Sequence, residues 1–173
     1  MRLFIALTVP TDLKTIVTDW RHQFSALPVR WLPEHHFHVT IIPPWDEVDE
    51  LPIVEALREI EGSMNPLSLR FDRVRLAPNQ REPRLIWAEG PTPTELLRIK
   101  ERLERTMEMP PDRRPFRLHL TLARFSPEQL MQFHDQHFSD TVSWSGIFNE
   151  FALIRSDLFP AGVEYTTLST HHI

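Results

Sequence analysis

Apolar positions along the chain fall into two spacings. Short runs of strand character cover Arg2–Val9, Val29–Trp31, His36–Ile42, Leu67–Leu76, Arg84–Glu89, Phe116–Phe125, parts of Val142–Ser156, and Val163–Leu168. Helical spacing appears from Thr11 to about Ala26, where Leu13, Ile16, Val17, Trp20 and Phe24 recur every three or four residues. It returns over Leu51–Ile60 through Ile53, Leu57 and Ile60, and from Pro93 through Leu96, Ile99, Leu103 and Met107. Pro10 and Pro52 mark two helix starts, and a short helix is expected from Pro127. Thr92-Pro93-Thr94-Glu95 and Ser126-Pro127-Glu128-Gln129 each read as a capping box. Pro43-Pro44 and Pro110-Pro111 read as loops.

The order of elements in the first half recurs in the second, and strands outnumber and separate the helices. This predicts an α+β fold, a pseudo-symmetric duplication of two similar lobes, each a mostly antiparallel sheet backed by helices. Residues 1–173 are expected to form a single domain.

Two of the strand-like runs carry the same polar pattern. Phe37-His38-Val39-Thr40-Ile41 and Leu118-His119-Leu120-Thr121-Leu122 each set His and Thr on one face and apolar residues on the other. A bare His-x-Thr triplet is common by chance. Here all six flanking positions are apolar and the copies lie 81 positions apart, about half the chain, as a duplication would leave them.

A facing pair of imidazoles can hold one neutral and one protonated ring at once near neutral pH. That suits in-line displacement at a phosphodiester, where one ring takes a proton from the attacking oxygen and the other gives one to the leaving oxygen. The hydroxyls of Thr40 and Thr121 suit the non-bridging oxygens. Which His is acid and which is base stays open, because the pattern is nearly symmetric. Arg124 would add positive charge, but it lies five positions after His119. An ideal strand turns it away, so reaching the site requires a bulge or the strand's end.

Composition narrows the chemistry. With no cysteine, disulfides, thiolate nucleophiles and Cys-based zinc sites are excluded. Four glycines, none clustered, provide no Gly-rich phosphate loop, so no nucleotide cofactor is expected. The net charge of −5 is not that of a protein that binds nucleic acid chiefly by neutralising phosphates, although 17 of the 19 basic residues are Arg. Arg70, Arg73, Arg75, Arg81 and Arg84 form the densest basic region and read as a solvated face. Trp31, Trp45, Trp87 and Phe125 have the chemistry to stack a base, with none singled out. His35 and His36 beside His38 invite a metal, but no partner set of a common zinc pattern accompanies them, and no metal is expected. His134 and His137 read as a polar helix face, and His171 and His172 as an exposed tail. With no apolar leader or membrane-length stretch, a soluble cytoplasmic protein is expected.

The paired motifs, together with Arg2-Leu3-Phe4-Ile5-Ala6-Leu7, Val29-Arg30-Trp31-Leu32-Pro33, Pro115 through Arg124, Phe151 through Ser156, Gly162 and Tyr165, resemble the 2H phosphoesterase superfamily, and within it the RNA 2′,3′-cyclic phosphodiesterase or 2′-5′ RNA ligase group. The first motif departs from that group's usual Phe-Leu-Gly turn by continuing Ile41-Ile42-Pro43-Pro44-Trp45. The resemblance implies a bilobal fold around a central cleft, catalytic roles for His38, Thr40, His119 and Thr121, and phosphate contact by Arg124. It further implies metal-independent hydrolysis of 2′,3′-cyclic phosphodiesters to 2′-phosphates, with ATP-independent ligation as the reverse. The expected partners are RNA ends or small cyclic nucleotides, with no membrane contact and the chain acting as a monomer. Two alternatives remain: a phosphodiesterase for a cyclic ADP-ribose phosphate or a 2′,5′-linked oligonucleotide, and a non-catalytic module that binds phosphate or RNA ends.

Overall fold

The computed structural model describes residues 1–173 except Gln80, Arg113, 134–137 and 160–161, so the expectation for His134 and His137 lies outside the described residues. In chain order the elements are β1 (Arg2–Thr8), α1 (Thr11–His22), β2 (Arg30–Trp31), β3 (His38–Asp46), α2 (Leu51–Ile60), β4 (Leu67–Ala77), β5 (Leu85–Glu89), α3 (Thr94–Thr106), β6 (His119–Arg124), α4 (Pro127–Leu130), β7 (Ser139–Phe148), β8 (Glu150–Phe159) and β9 (Gly162–His172). They build an α+β fold of two sheets, ordered β3-β1-β8-β9 and β2-β6-β5-β4-β7, with every pairing antiparallel.

The two halves of the chain are not the two sheets. β4, from the first half, pairs with β5 and β7 of the second sheet, while the last strands, β8 and β9, return to extend the first sheet beside β1. This exchange makes β3-β1-β8-β9 and β6-β5-β4-β7 equivalent four-stranded units. The helices cross between them: α1 packs on β7, where Trp20 Nε1 donates to Asp140 Oδ2 at 2.7 Å, and α3 contacts β3. One face of β1 buries Leu3, Ile5 and Leu7 in the main core. Its other face buries Phe4 and Ala6 with Ala152 and Ile154, against Tyr165.

Several local expectations change. α1 ends at His22, where the chain tightens into i→i+3 turns (Phe24 N to Arg21 O, Leu27 N to Phe24 O) ahead of Pro28. Pro43 and Pro44 are not a loop but lie within β3, the edge strand of its sheet, where a missing N–H is tolerated. The Ser126 capping box is present. The Thr92 one is not: the N-cap of α3 is Pro93, and Thr92 Oγ1 instead accepts a hydrogen bond from Leu118 N at 3.1 Å. His171 is not an exposed tail. It lies in β9, only 2% exposed, stacked on Phe151 at 5.3 Å and sharing a 2.8 Å hydrogen bond with Ser169 Oγ.

Gly90, between β5 and α3, passes so close to β4 that a Cβ there would sit 1.9 Å from the carbonyl oxygen of Arg70. Backbone cannot yield as a flexible side chain would. Gly90→Ala is therefore expected to cost about 3 kcal/mol or more, read as a lowered denaturation midpoint at unchanged m-value.

Candidate active site

β3 and β6 approach each other where the two sheets meet, and their burial patterns coincide. In each strand His and Thr are half-buried, the residues between and after them are buried, and two consecutive buried residues follow: Ile41-Ile42 in β3 and Leu122-Ala123 in β6. The doubled burial marks a β-bulge. Ile5 pairs with Ile42 but Ala6 with Thr40, leaving Ile41 extra, and Ile86 pairs with Ala123 but Trp87 with Thr121, leaving Leu122 extra. The second bulge shifts the alternation by one residue and so returns Arg124 to the face of His119 and Thr121.

Both imidazoles are held the same way. His38 Nδ1 lies 2.7 Å from the carbonyl oxygen of His36, and His119 Nδ1 lies 2.8 Å from that of Arg117. A carbonyl only accepts, so each Nδ1 carries the proton and each Nε2 is left for chemistry. The surroundings differ. Phe4 and Tyr165 flank His38 with ring centroids at 5.0 and 5.2 Å, while Trp87 lies over His119 at 4.4 Å.

The pairing registers of the two halves keep one constant offset, which exposes where the symmetry is broken. Opposite His38 stands Thr8, and opposite His119 stands Glu89. Opposite Thr40 stands Ala6, and opposite Thr121 stands Trp87. Pro43 occupies in β3 the place that Arg124 takes in β6.

These exchanges set the electrostatics. Burial pushes the His38 imidazolium down to a pKa of about 4, with the nearby charges of His119 and Arg124 adding to the effect against the His36 carbonyl. His119 is also lowered by burial, but the Arg117 carbonyl and the Glu89 carboxylate oppose the shift. Burial raises the pKa of Glu89, yet the bond to Arg75 Nε at 2.7 Å, the Arg75 charge, the Trp87 N–H and the Arg73 charge together outweigh this and lower it from its ordinary value. Trp87 Nε1 also donates to Glu89 at 3.1 Å, which fixes the indole against His119. Nearby charge thus reinforces burial at His38 and opposes it at His119, so protonation is disfavoured more strongly at His38.

Two cavities lie near the pair, the first reaching His119 and the second bordered by His36 and Arg124 rather than by either imidazole of the pair. One, about 380 Å³, is lined by Thr40, Pro43, Trp87, Phe116 and His119. The other, about 230 Å³, includes Arg124 and Tyr165, and Arg124 Nη2 donates to the Tyr165 hydroxyl at 3.4 Å. His35 and His36 touch each other at 4.4 Å, and among the described residues no group of three or more His, Cys, Asp or Glu is placed to hold a metal ion. No described helix is long and apolar enough to cross a membrane.

Sequence reading did not name Glu89, placed Arg75 on a solvated face although it is largely covered and paired with Glu89, and left Trp87 as one of several aromatics. Their signal is relational: each matters through the strand it faces. Of the basic region around β4, Arg75 is turned toward the site by its bond to Glu89, whereas Arg70 pairs with Asp72 on an exposed surface.

Curated relatives with the name RNA 2′,3′-cyclic phosphodiesterase include one from Thermus thermophilus, 28% identical over 97% of this chain and 88% of that protein. Another, from Methanocaldococcus jannaschii, is 28% identical, but the match spans 50% of this chain and only 49% of the relative. Among solved structures, TT0787 of Thermus thermophilus matches with a TM-score of 0.78 at 24% identity, covering 99% of this chain and 97% of that one. E. coli LigT complexed with 3′-AMP matches with a TM-score of 0.73 at 22% identity over 99% and 97% of the two chains, and at these identities both likenesses speak for the fold. The 2′-5′ RNA ligase superfamily profile matches residues 9–158, and the chain belongs to that family, a group of 2H phosphoesterases.

Proposed function

We propose that this protein hydrolyses 2′,3′-cyclic phosphodiesters at RNA ends or in nucleotides without a metal, leaving a 2′-phosphate. The observation that carries the reading is the pair of imidazoles presented by equivalent bulged strands, each with Nδ1 held by a backbone carbonyl and Nε2 left for proton transfer. One ring takes a proton from the attacking water as its oxygen bonds to phosphorus. The other gives a proton to the departing ribose oxygen as the P–O bond breaks. Thr40 and Thr121 donate to the non-bridging oxygens, and Arg124 supplies a full positive charge to the same group. With a hydroxyl in place of water, the same groups would bond that oxygen to phosphorus as the ribose P–O bond breaks, and so join a 2′,3′-cyclic phosphate end to it without ATP. The curated relatives' shared name supports the substrate class.

The test is hydrolysis of nucleoside 2′,3′-cyclic phosphates, and of an RNA ending in one, with EDTA present. Turnover that survives chelation supports the reading. Abolition by chelation, or absence of turnover on both substrates, would overturn it. The pH profile of kcat/KM should be a bell displaced to the acid side of neutrality, with one limb near pH 4 from His38 and the other below 6.5 from His119. The limbs belong to the coupled pair, so this shape holds whichever ring gives and whichever takes the proton. Glu89→Gln removes the carboxylate that raises His119 and should move the alkaline limb further down.

A further inference from the structure

The chemistry proposed above leaves two features unused: the His35 and His36 side chains ahead of β3, and Lys14 in α1, one of only two lysines in the chain. Strand pairing builds a surface beneath them. Directly opposed residues leave the same face of a sheet. Thr40 is opposed by Ala6, Ala6 by Ala152, and Ala152 by Thr170, so Thr170 in the far strand shares the face of Thr40. Leu153 pairs with Ser169 but Ile154 with Thr167, and the extra residue, Leu168, returns Thr167 to that face as well. Thr8 stands on it opposite His38.

A third cavity, of about 140 Å³, lies over this surface beside His38, with Lys14, His35, Thr8, Thr167 and Thr170 on its walls. It is smaller than the ~300–1,000 Å³ that take a whole small-molecule ligand, so it suits a single chemical group. An ammonium and three hydroxyls make that group an acceptor of hydrogen bonds. Lys14 is half-buried, yet among the described residues it makes no ion pair. The one carboxylate on the wall, Glu150, lies 3.8 Å from His172 Nδ1 instead. Lys14 borders neither the cavity at His119 nor the one at Arg124, which sets it to one side of the phosphate held between the histidines.

We propose that this cavity binds the internucleotide phosphodiester next to the cyclic phosphate in a strand, which makes RNA ends better substrates than nucleoside 2′,3′-cyclic phosphates. The inference rests on the phosphodiesterase reading for the class of ligand. One ammonium with a carboxylate on the same wall suits a singly charged diester better than a doubly charged monoester. Lys14 supplies the charge, the threonine hydroxyls donate to the non-bridging oxygens, and Glu150 opposes the anion.

Calorimetric titration at one fixed salt concentration tests this with two dinucleotides that end in a 2′-phosphate. One has an ordinary phosphodiester linkage and the other an uncharged methylphosphonate, with a 2′-deoxy sugar before the linkage in both so that neither cleaves itself. Bases and terminal phosphate are the same, so the comparison reads the charge of the linkage. The wild type should bind the charged dinucleotide at least about tenfold more tightly, in keeping with one charge-assisted contact. Lys14→Gln should bring the two within about twofold of each other, and Glu150→Gln should widen the preference. Equal binding by the wild type, a preference that survives Lys14→Gln, or one that narrows in Glu150→Gln would overturn the subsite. Binding needs no turnover, so the two readings fail separately. A preference for the charged linkage without cyclic phosphodiester hydrolysis sinks the phosphodiesterase reading, whereas hydrolysis with equal binding sinks the subsite.

Discussion

His38→Ala and His119→Ala should each lower kcat on a 2′,3′-cyclic phosphate by about 10²–10⁴-fold, the range for loss of a positioned acid or base. The double variant should be little worse than either single one, because the two rings act on one transition state and their contributions do not add. Single-turnover kinetics on purified variants checks this, and wild-type rates in both single variants would refute the mechanism. Folding can be followed independently through the linkage of His38. Its folded-state pKa of about 4 lies below the ordinary value of 6.5, so between those values the unfolded chain binds a proton that the folded chain refuses. Stability conferred by the neutral ring is present above pH 6.5 and is lost as pH falls toward 4, amounting to on the order of 3 kcal/mol. His38→Ala should therefore show a flatter stability profile across that window while keeping a cooperative transition.

The second large effect is expected at Glu104. Lys100 and Glu104, four residues apart on α3, form an ion pair with both side chains less than 10% exposed. Glu104 Oε1 also accepts from the backbone N–H of Asp112 at 3.0 Å, which ties α3 to the segment leading toward Arg117. Arg117 in turn supplies the carbonyl that holds His119. Glu104→Ala strands an ammonium group in a poorly solvated place and should cost about 3–5 kcal/mol. Replacing both partners with apolar residues of similar volume, Lys100→Met with Glu104→Leu, should recover much of that loss, because burying a pair is nearly neutral whereas burying one member is not. Denaturant unfolding of the three variants checks the order. Equal stability of Glu104→Ala and wild type would show that the pair is solvated. In the double variant the Asp112 N–H still lacks its acceptor, so activity should recover less than stability does.

Local pattern carried much of this protein. The helical stripes of α2 and α3, that of α1 through Leu13, Val17 and Trp20 though not the exposed Ile16, the capping box at Ser126, and the shared faces of His38 with Thr40 and His119 with Thr121 all depend on residues within a few positions of one another. Such periodicities are properties of the backbone alone. Length and spacing likewise showed that one motif had been written twice.

Only tertiary structure decided the rest, because strand pairing brings together residues that no local period relates. Pairing placed β4 in the second sheet and β8 with β9 in the first, which the linear order of two halves does not suggest. It put Pro43 and Pro44 on an edge strand that needs no N–H from them, and it enclosed His171 in β9 against Phe151. The bulge that turns Arg124 toward His119 is defined by a mismatch with β5, so β6 read alone gives the wrong face. The difference between the two histidines comes from Thr8 on one opposing strand and Glu89 on the other. Sequence alone determined that there would be two equivalent imidazoles; the identity of the residue across each strand made them unequal, because burial and charge act through space rather than along the chain.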